Sequence, residues 1–307
     1  MSTQHTHTLK DFFVAGLISI AYILLSTLLI GFKQDQVILS LIFSVCYLAS
    51  APSRKFILGF SVFIVYWIIF DYMKAFPNYA FNTVHIKEVF DTEKNIFGIT
   101  TNNEILTPNQ YFAQHNNTFV DILCGAFYLC WIPLPLAFAV YLFFKDRKTF
   151  LLFELTFFFV NLIGWTIYYS YPAAPPWYVQ FHGFDFNAAT PGHVAGLIKF
   201  DEFFNVTVFQ SLYAKGSNVF AAMPSLHSAY PMIVFYYGIK SKLGKINILF
   251  ATITLGIWFA AVYTSHHYTL DVLAGITCAI VGISLFNLLM KNEKLKSLFE
   301  KYLDVIS

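Results

Sequence analysis

Long apolar runs separated by polar segments make up most of this 307-residue chain. Crossing a hydrocarbon core about 30 Å thick takes roughly 20 apolar residues in a helix, because every backbone polar group must be satisfied within the segment. The pattern predicts an all-α, polytopic membrane bundle with about eight transmembrane helices. The predicted spans are Phe12–Gly31, Val37–Ala51, Phe56–Ile69, Phe119–Phe144, Phe150–Tyr171, Val219–Ile239, Ile246–Thr264 and Leu270–Met290. The second and third are short, which leaves a tight hairpin or a partly embedded pair open there.

The composition agrees with a membrane protein and excludes several other classes. Hydrophobic residues make up 57% of the chain, aromatic residues 20% and charged residues only 12%, which lies far outside the range of soluble domains. A net charge of +2 is too small to indicate a nucleic-acid partner, and no glycine-rich nucleotide loop is present. We therefore expect a single integral membrane domain over residues 1–307.

Basic residues set the expected orientation, because Lys and Arg favour the cytoplasmic side. With eight spans and the N-terminus inside, the cytoplasmic segments hold most of the 19 basic residues. Two long polar segments, about Tyr72–Thr118 and Pro172–Ser217, then lie on the outer face. Loops of this length are usually functional. The preference for Lys over Arg favours a bacterial cytoplasmic membrane, with the active site on its outer face.

Two short strings carry the candidate chemistry. Met-Pro-Ser-Leu-His-Ser occupies positions 223–228, and His-His-Tyr-Thr-Leu-Asp occupies positions 266–271. About forty mostly apolar residues separate them, which corresponds to two membrane crossings. Both strings are therefore expected at the same face of the bilayer.

The residue types in these strings suit phosphate chemistry. His267 and Asp271 are four residues apart, which places both side chains on one face if they lie in a helix. A carboxylate there holds an imidazole in one tautomer and raises its basicity, so His267 is a candidate nucleophile or base. His227 follows a Pro-Ser pair near the start of the sixth span, where free backbone N–H groups favour an anion. Each pattern alone also fits an interfacial histidine or a chance spacing, but their pairing favours a catalytic site.

These strings resemble the signature motifs of a known family. Pro-Ser-Leu-His at 224–227 and His-Tyr-Thr-Leu-Asp at 267–271 resemble the second and third motifs of the type 2 phosphatidic acid phosphatase superfamily. Tyr-Pro-Ala-Ala-Pro-Pro-Trp at 171–177 and the double histidine at 266–267 resemble its inositol phosphorylceramide synthase branch. The resemblance covers roughly Phe119–Met290 and implies a six-helix catalytic core at about 119–290.

The resemblance also implies a role for each motif residue. His267 would be the nucleophile that forms a covalent phosphohistidine, and Asp271 would orient it. His227 would protonate the departing alkoxide and later deprotonate the incoming hydroxyl, while Ser225 would hydrogen-bond the phosphoryl oxygens. Such chemistry divides one hard displacement into two easier ones and requires no metal or organic cofactor.

Further residues near the motifs are candidates for substrate binding. The proline-rich string has a second interpretation, in which the prolines end the fifth helix and Trp177 and Tyr178 belong to the aromatic belt of a membrane protein. His266 is either a phosphate ligand or a lipid-facing neighbour of the nucleophile. The substrate-binding candidates besides Ser225 are Pro224, His266, Tyr171, Pro175, Pro176 and Trp177.

The scarcity of arginine bears on the substrate. Phosphatases of the superfamily share arginines in their signature motifs. This chain has only Arg54 and Arg147, both expected on the cytoplasmic side. A phosphomonoester carries about −1.5 to −2 charge near neutral pH, and a phosphodiester about −1. A site without bidentate guanidinium groups suits the diester better. Lys199, Lys215, the histidines and helix N-terminal amides could compensate its charge.

The sequence thus predicts a membrane phosphotransferase that moves a phosphoinositol-type head group from a glycerophospholipid donor to a ceramide-like lipid acceptor. A lipid phosphate phosphatase with the same histidine pair, using water as acceptor, is the alternative within the same class. A non-catalytic lipid-binding or transport protein is the alternative from another class. Membrane lipids are the expected partners in all three cases.

Overall fold

The computed structural model describes residues 8–214, 216 and 218–307. Regular structure in this part of the chain is helical apart from two isolated β-bridges and one antiparallel hairpin of β1 (Ile99–Thr101) and β2 (Glu104–Leu106), which confirms the all-α prediction. The α-helices are α1 (Leu9–Ile30), α2 (Gln34–Ala49), α3 (Ala51–Gly59), α4 (Ser61–Tyr72), α5 (Lys87–Phe97), α6 (Pro108–Gln114), α7 (Thr118–Leu129), α8 (Pro133–Lys145), α9 (Arg147–Ser170), α10 (Pro176–His182), α11 (Ile198–Phe204), α12 (Val208–Ala214), α13 (Leu226–Lys240), α14 (Ile246–Tyr263), α15 (Thr269–Leu289) and α16 (Glu293–Ile306).

Several of these helices can cross a membrane. Among the described residues, five stretches are long and apolar enough: α1, α7 with α8, α9, α14 and α15. The pair α3 and α4 makes a sixth if it is counted as one span, bent by 45° at its break. The polytopic architecture is therefore confirmed, while the number of eight spans stays a prediction.

Two predicted spans differ from the helices observed. The run Phe119–Phe144 is interrupted between α7 and α8, where Pro133 starts the second helix; proline lacks an N–H and fits the first helical position. The run Val219–Ile239 becomes helical only at Leu226. The residues before it are not helical: Val219 and Phe220 form a turn, Ala221 pairs with Ala173 in a β-bridge, and Ser225 caps the helix. The string at 223–228 therefore spans the start of α13, with Ser225 as the N-cap and His227 in the first turn.

Backbone contacts group the chain into two compact units. The first contains the described residues up to 76, with 142–155 and 289–307, and the second contains 77–141 and 156–288. Every candidate site residue belongs to the second unit. The single integral domain and the catalytic core at 119–290 stay predictions.

Both arginines are engaged within the first unit. Arg54 lies 3.0 Å from the Asp11 carboxylate and its guanidinium stacks over the Tyr47 ring at 4.5 Å. Arg147 lies over the Phe143 ring at 4.4 Å. Both guanidinium groups therefore have contacts within this unit.

The polar segments of the second unit contain helices that were expected to be loops. The first segment holds α5, the β-hairpin and α6, and the second holds α10, α11 and α12. Thr107 caps α6 by accepting a hydrogen bond from the Gln110 amide, and Pro108 and Pro176 occupy the first positions of α6 and α10. Both segments are therefore ordered by local capping chemistry, and both contact the histidine motifs.

Candidate active site

The two histidine motifs meet in the structure. His227 lies in the first turn of α13, and His267 lies in the turn between α14 and α15. His227 Nδ1 is 3.0 Å from His267 Nε2, although the residues are 40 positions apart in sequence. The two strings therefore lie side by side, while their position at the outer face of the bilayer stays a prediction.

A tight turn presents His267. Helix α14 ends at Tyr263, and Ser265 takes a left-handed conformation with φ of 61°. The amides of His266 and His267 both donate to the Ala261 carbonyl, at 3.1 and 3.0 Å. The backbone thus reverses within a few residues and directs the His267 side chain toward α13.

Asp271 lies beside the nucleophile candidate, but by a different route from the one expected. The two residues do not share a helix face, because α15 begins at Thr269 and His267 precedes it. Asp271 Oδ2 accepts a hydrogen bond from the Tyr268 amide at 2.8 Å and lies 3.5 Å from His267 Nδ1. With Nδ1 on the carboxylate side, Nε2 is the His267 nitrogen that faces His227.

Burial sets the charge of this site. His267 is only 5% exposed, and this burial lowers its pKa to about 4. Near pH 7 the imidazole is neutral and one ring nitrogen keeps its lone pair. A neutral imidazole whose other nitrogen faces a carboxylate is the form that can attack phosphorus.

His227 has a second partner that the sequence did not indicate. The Tyr128 hydroxyl on α7 lies 3.1 Å from His227 Nδ1, and Tyr128 is fully buried. The Trp131 ring packs edge-on against His227 at 4.3 Å between centroids. In a chain with 19 tyrosines, one tyrosine inside an apolar run carries no sequence signal.

Ser225 joins the two motifs through its backbone and caps α13 through its side chain. Its amide donates to the Asp271 carbonyl at 2.8 Å, and its hydroxyl accepts hydrogen bonds from the amide and the hydroxyl of Ser228, at 3.3 and 3.0 Å. A Cβ at Gly275 would collide with the Ser225 carbonyl, so a glycine is required at this approach. The Pro224 carbonyl accepts a hydrogen bond from the Tyr168 hydroxyl at 3.0 Å. Contact of Ser225 or Pro224 with a phosphoryl group stays a prediction.

His266 lies inside the protein and does not face lipid. It is 4% exposed, and its ring stacks on Tyr213 at 4.5 Å with an interplanar angle of 15°. Burial and the neighbouring His267 lower the pKa of His266 well below its ordinary value, so its imidazole is neutral. Its Nε2 is buried and makes no hydrogen bond with the described residues.

The proline-rich string positions both motifs. Ala173 pairs with Ala221 on one side and His85 on the other, and Tyr171 stacks on the His85 ring at 3.9 Å. The Trp177 amide donates to the Ser265 carbonyl at 3.1 Å, in the turn that presents His267. Pro175 and Pro176 begin α10, which carries Trp177.

The aromatic-belt interpretation of this string is wrong. Trp177 and Tyr178 are only 5% and 0% exposed, so neither faces the surroundings of the protein. The Trp177 ring packs near His193, at 5.4 Å between centroids. Direct contact between this string and a head group stays a prediction.

Two buried side chains of the first polar segment also hold the catalytic turn. Glu93 on α5 accepts hydrogen bonds from the amides of Thr269 and Leu270, at 2.8 and 3.0 Å, where α15 begins. Asn109 on α6 donates to the carbonyls of Val262 and His267, at 2.7 and 2.9 Å. Both side chains are fully buried. Sequence reasoning missed them, because nothing local distinguishes them from the other polar residues of the segment.

Of the two lysines expected to compensate phosphate, one is engaged with a carboxylate. Lys199 lies 3.6 Å from Asp121. Lys215 falls outside the described residues. Among the described residues, the side chains that contact the His227 and His267 rings include Tyr128, Trp131 and Asp271.

Comparisons with known proteins identify the family of this chain. A family model described as the PAP2 superfamily matches residues 103–285. The chain is 41% identical to the phosphoinositol dihydroceramide synthase of Bacteroides thetaiotaomicron, over 97% of this chain and 98% of that protein. It is 25% identical to the inositol phosphorylceramide synthase of Candida albicans, over 83% of this chain and 53% of that protein. No solved structure matches it significantly.

A further relative gives the same picture. The catalytic subunit of inositol phosphorylceramide synthase from Schizosaccharomyces pombe is 25% identical over 77% of this chain and 56% of that protein, so the chain spans about half the length of these fungal relatives. The matched region contains both histidine motifs and the proline-rich string, and the long apolar helices mark an integral membrane protein. The chain therefore belongs to the PAP2 superfamily, in its inositol phosphorylceramide synthase-like branch.

Proposed function

We propose that this protein is a membrane phosphotransferase that moves a phosphoinositol-type head group from a glycerophospholipid to the hydroxyl of a ceramide-like lipid. The observation that carries the proposal is the 3.0 Å approach of His227 Nδ1 to His267 Nε2, with Asp271 on the far side of the His267 ring. The likeness to a phosphoinositol dihydroceramide synthase over nearly the full length of both chains supports the same reaction.

In the first step, His267 Nε2 attacks the phosphorus of the donor lipid. A nitrogen–phosphorus bond forms, the bond from phosphorus to the glycerol oxygen breaks, and His227 gives a proton to that oxygen, which releases diacylglycerol. Asp271 keeps the His267 ring in the required orientation and stabilises its positive charge. The head group is then held as a phosphohistidine.

In the second step, the acceptor lipid takes the head group. His227, now neutral, removes the proton of the acceptor hydroxyl, whose oxygen attacks phosphorus while the nitrogen–phosphorus bond breaks. His267 returns to its neutral state and His227 regains its proton. Each histidine therefore ends the cycle as it began, with no net proton change.

The histidine pair must open to admit a substrate. An in-line displacement places phosphorus about 3 Å from the attacking nitrogen and the leaving oxygen about 3 Å from its proton donor, so the two nitrogens stand roughly 6 Å apart during transfer. The observed distance of 3.0 Å corresponds to the closed pair.

The charge of the site favours a phosphodiester. A diester carries about −1 charge and a terminal phosphate up to −2. His266 and His267 are neutral imidazoles near pH 7, and Lys199 lies against Asp121. With one protonated histidine, His227, and otherwise neutral donors, the site compensates a single negative charge better than two, because the described side chains in contact with the pair include no guanidinium group.

The other predicted site residues either contact the substrate or position the site in this proposal. His266 offers its unpaired Nε2 to a phosphoryl or inositol oxygen. Ser225 and Pro224 hold the segment that carries His227 in place, through the helix cap of Ser225 and the hydrogen bond to the Pro224 carbonyl. The other four act through the turn that they support rather than through the substrate: Tyr171, Pro175, Pro176 and Trp177.

The membrane side and the lipids follow from the expected topology. Spans that place most basic residues on the cytoplasmic side put the histidine pair at the outer face of a bacterial cytoplasmic membrane. Donor and acceptor lipids then reach it laterally from the outer leaflet.

A lipid-transfer assay tests the proposal. Purified protein in detergent is incubated with phosphatidylinositol and a fluorescent ceramide, beside the His267→Ala variant and the His115→Ala control. The exposed His115 ring stacks on Tyr111 and its Nδ1 lies 3.0 Å from the Tyr111 carbonyl oxygen. We expect a phosphorylated ceramide and matching diacylglycerol from the native protein and the control, and none from His267→Ala. If phosphate or inositol phosphate is released in a His267-dependent way and no head group reaches the ceramide, the acceptor is water.

A further inference from the structure

The acid–base histidine has two partners on a single ring nitrogen. His227 Nδ1 lies 3.0 Å from His267 Nε2 and 3.1 Å from the Tyr128 hydroxyl. A ring nitrogen has only one hydrogen-bonding direction, in the plane of the ring, so two partners share it in the closed pair. When a phosphoryl group separates the histidines, the hydroxyl is the neighbour that stays.

We propose that Tyr128 is a further catalytic residue, whose hydroxyl hydrogen-bonds the oxygen that His227 protonates in the first step and deprotonates in the second. The inference rests on the proposed transfer reaction. Any oxygen within hydrogen-bond distance of His227 Nδ1 lies beside this hydroxyl. The oxygen concerned is first the glycerol oxygen of the leaving lipid and then the hydroxyl oxygen of the acceptor.

The need for such a donor follows from the charge of the site. Negative charge develops on the leaving oxygen as its bond to phosphorus breaks, and donors aimed at that position stabilise the transition state. Among the described residues, the side chains in contact with His227 and His267 include no guanidinium or ammonium group for this oxygen, and Lys199 lies against Asp121. A buried phenol supplies a hydrogen bond without placing a charge in the apolar interior.

The two histidines thus have partners suited to different tasks. Asp271 only accepts hydrogen bonds, so it holds His267 in one orientation through both steps. A hydroxyl both donates and accepts, so Tyr128 can accompany His227 in its protonated and its neutral state. Tyr128 keeps its own proton throughout, and the proton balance of the two steps is unchanged.

The substitution Tyr128→Phe tests this role, because it removes one oxygen and keeps the ring. We expect turnover of the lipid donor to fall about 100-fold with little change in KM, which is the lower end of the loss expected when one transition-state donor is removed. The matched control is Tyr237→Phe, because Tyr237 lies on the same helix as His227. The substitution removes a buried hydroxyl that forms a 2.7 Å hydrogen bond with Thr156 Oγ1. The control should keep the native rate of transfer.

A second donor separates chemistry from folding. The p-nitrophenyl ester of inositol phosphate has a leaving group that departs without a proton, so its first step should be slowed less than about threefold in Tyr128→Phe. If Tyr128→Phe slows the reactions of both donors equally, or turns over the lipid donor at the native rate, the catalytic role of Tyr128 is overturned but the proposed function is not. No His267-dependent release of nitrophenol from the native protein would overturn the proposed function itself.

Discussion

The two polar segments of the second unit both hold the turn that presents His267, but they use different parts of the chain. The first segment, residues 77–117, uses the buried side chains of Glu93 and Asn109, which together make four hydrogen bonds to the backbone around the turn. The second segment reaches the backbone of the turn through backbone amides, from Trp177 to the Ser265 carbonyl and from Gly196 to the Thr264 carbonyl. Its side chains meet side chains of the turn, where Tyr213 stacks on His266 and the Gln180 amide donates to the Ser265 hydroxyl. The backbone of the turn is therefore held by specific side chains of the first segment and by the backbone path of the second.

This difference teaches which substitutions the turn tolerates. A side chain that accepts two buried amide hydrogen bonds cannot be truncated without leaving two buried donors unpaired, which costs about 1–3 kcal/mol for each. A backbone amide survives replacement of its own side chain and is disturbed only by a change in backbone position. We therefore expect the first segment to be sensitive to truncation and the second to added volume.

Truncation of Glu93 is expected to have the largest effect. In Glu93→Ala, the amides of Thr269 and Leu270 lose their acceptor inside the protein. We expect transfer activity to fall more than about tenfold and the melting temperature to drop by several degrees. Glu93→Gln keeps one acceptor oxygen and should lie between the two. The exposed Glu88 on the same helix is the control, and equal losses in Glu88→Ala would contradict a specific role for Glu93.

Added volume at Gly196 is expected to have a moderate effect. A Cβ there would lie 3.0–3.3 Å from the backbone of Thr264, which is tighter than ordinary contact. We expect Gly196→Ala to lower kcat severalfold by shifting the turn, with a smaller loss of stability than in Glu93→Ala. Gly16→Ala, where no atom lies within 4 Å of the added Cβ, should change neither quantity. A loss as severe as that of Glu93→Ala would remove the distinction between the two segments.

The smallest effect concerns acid. Burial lowers the pKa of His267 to about 4, so the nucleophile stays neutral as the pH falls from 7 to 5.5. The first-step rate with the nitrophenyl donor should change less than about twofold over this range, whereas an imidazole with an ordinary pKa of about 6.5 would lose most of its reactive form. If Glu93→Ala admits water to the turn, the pKa rises toward its ordinary value and the rate of that variant should fall as the pH is lowered. A native rate that already falls tenfold by pH 5.5 would contradict the burial argument.

Local patterns predicted what is encoded locally. The long apolar runs predicted α9, α14 and α15 within a few residues of their observed bounds. The two histidine strings identified the pair of histidines that lie 3.0 Å apart. The contacts of Tyr128 with His227 and of Glu93 with Thr269 bridge 99 and 176 positions. No periodic signal reports contacts at such separations, so these residues emerged only from the fold.

The start of α13 was missed for a different reason. Hydropathy extended the sixth span back to Val219, but Ser225 caps the helix and Ala221 takes part in a β-bridge. A Pro-Ser pair before an apolar run is a recognisable helix start, and it would have corrected the boundary. The pairing of Ala221 with Ala173 could not have been found in this way, because it joins segments 48 positions apart.

The most direct measurement of the central proposal is the mass of the protein during a single turnover. Native protein is mixed with the phosphoinositol donor in the absence of ceramide, quenched and digested, and the peptide that contains His267 is examined. We expect that peptide to carry the added mass of the inositol phosphate group, and the added mass to disappear when ceramide is supplied, with formation of the phosphorylated ceramide. An unmodified peptide, together with head-group transfer that survives His267→Ala, would contradict the phosphohistidine mechanism.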